Sequence, residues 1–209
     1  IKHNESYNLY HHSGVLNIDN SLFVDTTNSN INNDYGNINI DFCTIVQADN
    51  EQVEHNIRLY QVETATIRNS ILWGKTDDGN FINDGDDNIQ ILYSIIKGGW
   101  EGTGNLDHDP GFISENDFHL SDSSICIGKG SSELNTFTMD LEGNIRALPE
   151  GSNPDIGCYE STLGAEPRNT LLQVPTDYST IQSAIDAARN GDTVLVDMGT
   201  YYENLFLSK

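Results

Sequence analysis

Five aspartates crowd one short stretch: Asp77, Asp78, Asp84, Asp86 and Asp87. Carboxylate oxygens converging from one loop suit a hard cation, and calcium is the one cofactor they point to. A solvated acidic loop is the plainer alternative. A second pair, Asp107 and Asp109, flanks His108. On a strand the i, i+2 spacing puts both carboxylates on one face, and paired carboxylates can hydrolyse a glycoside. Exposed aromatics could stack on sugars, and the candidates are Tyr60, Trp73, Tyr93 and Trp100. Trp73 and Tyr93 are expected to pack in or beside the strands, which leaves Trp100 as the best exposed, in the run Gly98-Gly99-Trp100-Glu101-Gly102-Thr103-Gly104. That run lacks a P-loop lysine and a following helix, so phosphate cradling is not expected.

Asp140 and Arg146 bracket Gly143-Asn144. A buried ion pair between them would close that turn, and bidentate carboxylate recognition favours arginine there. The six histidines include no pair at convincing ligand spacing. Cys43, Cys126 and Cys158 have no metal-site spacing either. Cys43 lies in a strand pattern and reads as a buried small apolar residue. Cys126 and Cys158 can form a disulfide if their strands are neighbours.

The elements that must position these groups come from a repeat. Four segments align without gaps, at residues 16–23, 38–45, 65–72 and 89–96. The isoleucine at the third place recurs as Ile18, Ile40, Ile67 and Ile91, in steps of 22, 27 and 24 residues. Each unit reads as two short strands. The first alternates apolar with polar residues, the period of a half-buried strand. A bend follows at Asn20, Phe42, Asn69 or Tyr93, then a small residue, Ser21, Cys43, Ser70 or Ser94, then a second apolar pair. Turn-rich stretches such as Thr26 to Asn33 and Thr76 to Asp87 separate the units. One unit cannot bury its apolar face alone, but stacked units can. The expected fold is all-β: a right-handed parallel β-helix, a solenoid with like residues stacked in ladders. An antiparallel sandwich would not need the same residue type at the same place in each unit.

The coils are expected over residues 1–97, a closing module over 98–161 and a linker over 162–173. Residues 174–209 then read as a helix cap and the first coil of a second β-helix. In that tail Ser179-Thr180-Ile181-Gln182 has capping-box spacing. Ile181, Ala184, Ile185 and Ala188 share one face of a short amphipathic helix, which Asn190-Gly191 should end. Strands are expected at Asp192–Val196 and from Tyr201 to Leu205.

The 209-residue chain has 10 Lys and Arg against 32 Asp and Glu, a formal charge of −22. Such a surface repels nucleic acid and anionic lipid. No run of 18 apolar residues is present, so no membrane-spanning helix is expected. The chain opens at Ile1-Lys2-His3, as a mature product or a fragment would, so a missing signal peptide says nothing of location.

From Gly98 onward the motifs occur in the order Gly-Gly-Trp-Glu-Gly, Asp107-x-Asp109-Pro110-x-Phe112, Asp117-Phe118-His119-Leu120, Ser124-x-Cys126-Ile127, Asp140-x-x-Gly143-Asn144-x-Arg146 and Pro154-Asp155-Ile156-Gly157-x-Tyr159-Glu160. With the coils before it, this order resembles secreted bacterial pectate-lyase-like β-helix proteins, including those of the choice-of-anchor Q type, over residues 14–161. Glu142 stands where aspartate is commoner, and Cys126 and Cys158 where small residues are common. The resemblance implies a secreted or bacterial cell-surface location. It also implies structural roles for Asp107, Asp109, Asp140, Arg146 and Asp155, with Asp109 stabilising the turn at Pro110. Polysaccharide lyases of this fold use a basic proton abstractor. The coils offer only Arg58, Arg68, Lys75 and Lys97, a weak constellation.

The expected function is a non-catalytic extracellular or cell-surface module with a structural or adhesive role. A carbohydrate-binding or polysaccharide-degrading module is the first alternative, with Trp100 as the binding candidate. A subunit that assembles head to tail into a filament is the second. The corresponding partners are a polysaccharide or another β-helix chain.

Overall fold

Alternating residues give the first strand of each repeat one apolar and one polar face, and the structure stacks those strands in register. The computed structural model describes residues 7–24, 29–47, 55–74, 81–83, 88–134, 137–162, 171–188 and 193–207. They form two compact units, residues 1–167 and 168–209.

The first unit is a parallel β-solenoid with three sheets of four strands. Sheet 1 holds β1 (Tyr7–His11), β4 (Ser29–Asp34), β7 (His55–Tyr60) and β10 (Phe81–Asn83). Sheet 2 holds β2 (Gly14–Asp19), β5 (Gly36–Asp41), β8 (Thr64–Arg68) and β11 (Asn88–Leu92). Sheet 3 holds β3 (Leu22–Val24), β6 (Thr44–Val46), β9 (Ile71–Trp73) and β12 (Ile95–Ile96). Ile18, Ile40, Ile67 and Ile91 pair coil to coil in the expected register. With Phe23, Ile45, Leu72 and Ile96 they fill the interior.

Sheet 1 departs from the expectation of a turn-rich stretch over Thr26 to Asn33, because Ser29–Asp34 is a strand. Ser29–Asp34 carries a single aliphatic residue, Ile31, among asparagines that favour turns. The strand forms because Ile31 stacks between Leu9 and Ile57. An asparagine ladder also runs through the sheet. Asn8 Nδ2 donates to Asn30 Oδ1 at 2.7 Å, and Asn30 Nδ2 donates to Asn56 Oδ1 at 2.8 Å. Asn30 and Asn56 are fully buried, so these bonds satisfy amides that would otherwise be costly to bury.

The bends between sheets 2 and 3 fall where the sequence places them. Asn20, Phe42, Asn69 and Tyr93 have φ of 44°, 50°, 49° and 49°, the left-handed region that L residues seldom enter. The small residue after each bend forms its own ladder. Ser70 Oγ donates to its Arg68 carbonyl at 2.6 Å and accepts the Cys43 amide at 3.0 Å. Ser94 repeats this, donating to Leu92 and accepting from Ser70. A larger residue would crowd this corner and leave those amides unmatched.

After β12 the chain adds one more rung, with Leu106 bridging Ile95 in parallel. Asn105 ends the corner ladder: its Oδ1 accepts the Ser94 amide and its Nδ2 donates to the Ile91 carbonyl. The chain then runs along the outside of sheet 3. The antiparallel hairpin of β13 (Phe112–Ser114) and β14 (Asp117–Leu120) lies there. Phe118 packs on Val24 and Val46, while Leu120, Cys126 and Ile156 pack on Ile71 and Ile95. Sheet 3 is thus apolar on both faces because both are covered.

The second unit contains β15 (Leu171–Val174), α1 (Ile181–Ala187) and β16 (Thr193–Val196). The two strands pair in parallel, and Ala184 of α1 packs on Leu172 and Val174. Thr180 caps the helix, its hydroxyl accepting the Ser183 amide. Glu203 does the rest, accepting the Ile181 and Gln182 amides at 3.0 Å each. Leu171 to Gln173, read as linker from sequence, are therefore strand. Residues 201–207, read as a strand starting at Tyr201, form none. Asn190-Gly191 and Asp192 lie outside the described residues. No helix among the described residues is long and apolar enough to cross a membrane.

Candidate functional site

Arg146 is buried where the layer on sheet 3 meets the bends of the coils. Its side chain and that of Glu160 are fully buried and lie 3.5 Å apart. Its guanidinium also donates to the carbonyls of Asp155 and Gly157, at 3.2 Å each, and to Asn20 Oδ1 at 3.4 Å. The cation lies 4.1 Å from the centroid of the Phe42 ring, within cation–π range. The Asp140–Arg146 ion pair expected from sequence is replaced by this one. Asp140 instead uses its carboxylate on neighbouring amides: those of Glu142, Asn144 and Glu160, and the Asn144 side chain. It still closes the Gly143-Asn144 turn, as an acceptor of N–H groups. Burial works against its charge, but those hydrogen bonds outweigh it and hold the carboxyl below its usual range.

Asp155 accepts the amides of Gly128 and Ser161, both at 2.7 Å. Glu160 accepts those of Leu148 and Asp155. Burial pushes Asp155 up to about 6 and Glu160 up to about 7. The left-handed corner is where this layer takes hold of the coils. Asn20 donates to the Met139 carbonyl, and Phe42 meets Phe137 edge-on. Asn69 accepts the Ser131 amide through its side chain and the Gly157 amide through its carbonyl, both at 2.8 Å. Gly157 has φ of 105°, and a Cβ there would come within 2.8 Å of Ile71 and Thr44, so only glycine fits.

Among the described residues, the remaining sequence candidates do not converge. Asp107 accepts the Gly98 amide and Asp109 the Gly111 amide, which makes both turn acceptors. Trp100 is 38% exposed. Asp77, Asp78, Asp84, Asp86, Asp87 and Lys75 lie outside the described residues. Among the described residues, no group of three or more His, Cys, Asp or Glu could hold a metal ion. Arg68 pairs with the buried Asp41 at 2.9 Å, and Lys97 lies over the Trp73 ring. All three cysteines are free and buried, so the Cys126–Cys158 bridge is not formed. Cys126 packs with Ile71, Ile95 and Leu120, whereas the Cys158 amide donates to Thr44 Oγ1. Burial pushes both thiols up to about 12, so neither is a ready nucleophile.

Two surface groupings were not read from sequence. His119 touches Asp117 through Nδ1 at 2.5 Å and Glu142 through Nε2 at 3.3 Å, and its ring stacks 4.0 Å from that of Tyr159. The other lies on the outer face of sheet 1. Tyr10, Asn32 and Arg58 occupy one register position on three successive coils. Tyr10 donates to Asp34 at 2.8 Å, and Asp34 pairs with Arg58 at 3.5 Å. Arg58 lies 5.6 Å from the Tyr60 ring centroid, and Tyr60 meets Tyr35 edge-on at 5.4 Å. Register between coils is the signal that would have found it: 10, 32 and 58 follow nearly the same steps as the isoleucine ladder. No family model, curated protein or solved structure matches the chain.

Proposed function

We propose that the chain is a non-catalytic β-helix module with a structural or adhesive role at an extracellular or bacterial cell surface. The observation that carries this reading is the use made of the reactive side chains. Asp107, Asp109, Asp140, Asp155 and Glu160 all accept backbone amides, and Arg146 is enclosed by carbonyls and a carboxylate. Side chains used in this way close turns and brace the buried layer, which supports a structural use for them. The motif order from Gly98 to Glu160 resembles secreted choice-of-anchor Q proteins, which supports the location. The test is turnover on acidic and neutral polysaccharides, followed by ultraviolet absorbance and by reducing ends. Background rates are expected throughout. Sustained turnover that Asp107→Asn or Asp109→Asn abolishes would overturn the reading.

A filament is the second reading, and the surface of the second unit favours it. Leu195, Met198, Tyr202, Phe206 and Leu207 are all exposed there, a dense set of apolar groups for so short a segment. Sedimentation should show elongation at micromolar concentration; a monodisperse monomer would end this reading.

A further inference from the structure

We infer that the outer face of sheet 1 and the bend after β4, where Tyr10, Asp34, Tyr35, Arg58 and Tyr60 meet, form a binding site for a neutral glycan chain. The proposal rests on the adhesive reading above and names its ligand.

Three observations support it. First, the site combines aromatic surface with planar hydrogen-bonding groups. Tyr10 and Tyr35 are 50% and 49% exposed, and each offers an apolar ring and a hydroxyl. Pyranose rings need both, since their C–H faces pack on aromatic rings and their rim hydroxyls need donors and acceptors. Asp34 and Arg58 stand between the rings and supply carboxylate and guanidinium edges.

Second, the groups are held in place before any ligand arrives. Tyr10 is tied to Asp34, Asp34 to Arg58, Arg58 to Asn32 at 3.2 Å, and Tyr35 rests against Tyr60. A ligand therefore freezes few side-chain rotors on binding, which favours affinity. Tyrosine-rich surfaces use the same economy of two torsions per large contact. The residues come from successive rungs about 4.8 Å apart, so an extended chain lying along the solenoid axis meets them in turn.

Third, the charge pattern selects against an anionic ligand. Asp34 is paired with Arg58 within the patch, and the chain as a whole carries −22. A uronate polymer would be repelled at long range, and a cationic peptide would find no unpaired carboxylate among these five residues.

The test is calorimetric titration of the full chain with cellohexaose, mannohexaose and xylohexaose, with oligogalacturonate and deca-lysine as comparators. At least one neutral hexasaccharide is expected to bind. Tyr35→Asn and Asp34→Asn are expected to weaken it by about tenfold or more, and Trp100→Ala to leave it unchanged. Asparagine is chosen at 35 because φ is 58° there, a conformation it tolerates better than alanine. Absence of binding by all three sugars would overturn the proposal, as would binding insensitive to both patch variants. So would binding lost only in Trp100→Ala, or a response to deca-lysine or oligogalacturonate alone. The turnover assay of the scaffold reading is separate: a chain without turnover that also binds no sugar removes this site and leaves that reading standing.

Discussion

Ile18, Ile40, Ile67 and Ile91 fill one place in four coils, whereas Arg146 occupies a place that occurs once. The coils are held by repetition. Each residue stacks on its like, and loss at one rung is shared with the rungs beside it. The layer on sheet 3 is held by single contacts between distant segments, such as Arg146 with Asn20 and Cys158 with Thr44. Stability in the first region is spread out, and in the second it is concentrated in a few polar groups. The two meet at the left-handed corner, where three of the four bend residues contact the layer: Asn20 and Asn69 through hydrogen bonds and Phe42 through its ring.

The largest expected effect is therefore in the layer. Arg146→Met should cost about 3–5 kcal/mol, because it leaves Glu160 buried without its cation; chemical denaturation measures this. A loss under about 1 kcal/mol would show that the layer too shares its load. Next comes Ile67→Ala in the middle of the stack, expected to cost about 2–5 kcal/mol through a cavity that packed rungs cannot collapse. Ile18→Ala, on the first described coil, should cost less, since among the described residues it stacks on one side only. Equal costs would break the claim that stacked neighbours set the penalty. Asn30→Ala should cost about 1–3 kcal/mol by leaving the Asn56 acceptor and the Val46 carbonyl short of a donor.

The smallest effect is with pH. Burial raises Asp41 to about 6, Asp155 to about 6 and Glu160 to about 7. A raised carboxyl favours folding while protonated, and that contribution is lost as pH rises through the folded value. His119 acts in the same direction: burial lowers its pKa, but Asp117 and Glu142 outweigh this and raise it. Melting temperature should therefore be higher near about pH 5.5 than near about pH 8. His119→Gln should reduce the difference slightly. A rise in stability toward pH 8 would contradict the assigned burial of these carboxyls.

The same contrast explains what could be read from the sequence. The isoleucine ladder, the four bends and the small-residue corner were legible because each recurs at the coil spacing. The asparagine ladder recurs too, at 8, 30 and 56, but asparagine signals turns, and its strand shows only one aliphatic residue. That is why sheet 1 is not legible as a sheet, and why Tyr60 reads as a lone aromatic without Tyr10 and Tyr35 beside it. The layer on sheet 3 was legible only as a string of motifs. The sequence pairs Arg146 with Asp140, whereas its partner is Glu160, because a contact made once leaves no periodic trace.

Amide hydrogen exchange of the full chain tests most directly whether coils and layer form one cooperative body. The amides of Ile40, Ile67 and Ile91 in the stack, and of Ser131, Gly157 and Cys158 in the layer, should open together at one free energy. Arg146→Met should lower both sets equally. Rapid exchange in the layer while the stack stays protected would mean that it is an adornment on the solenoid and not part of its fold.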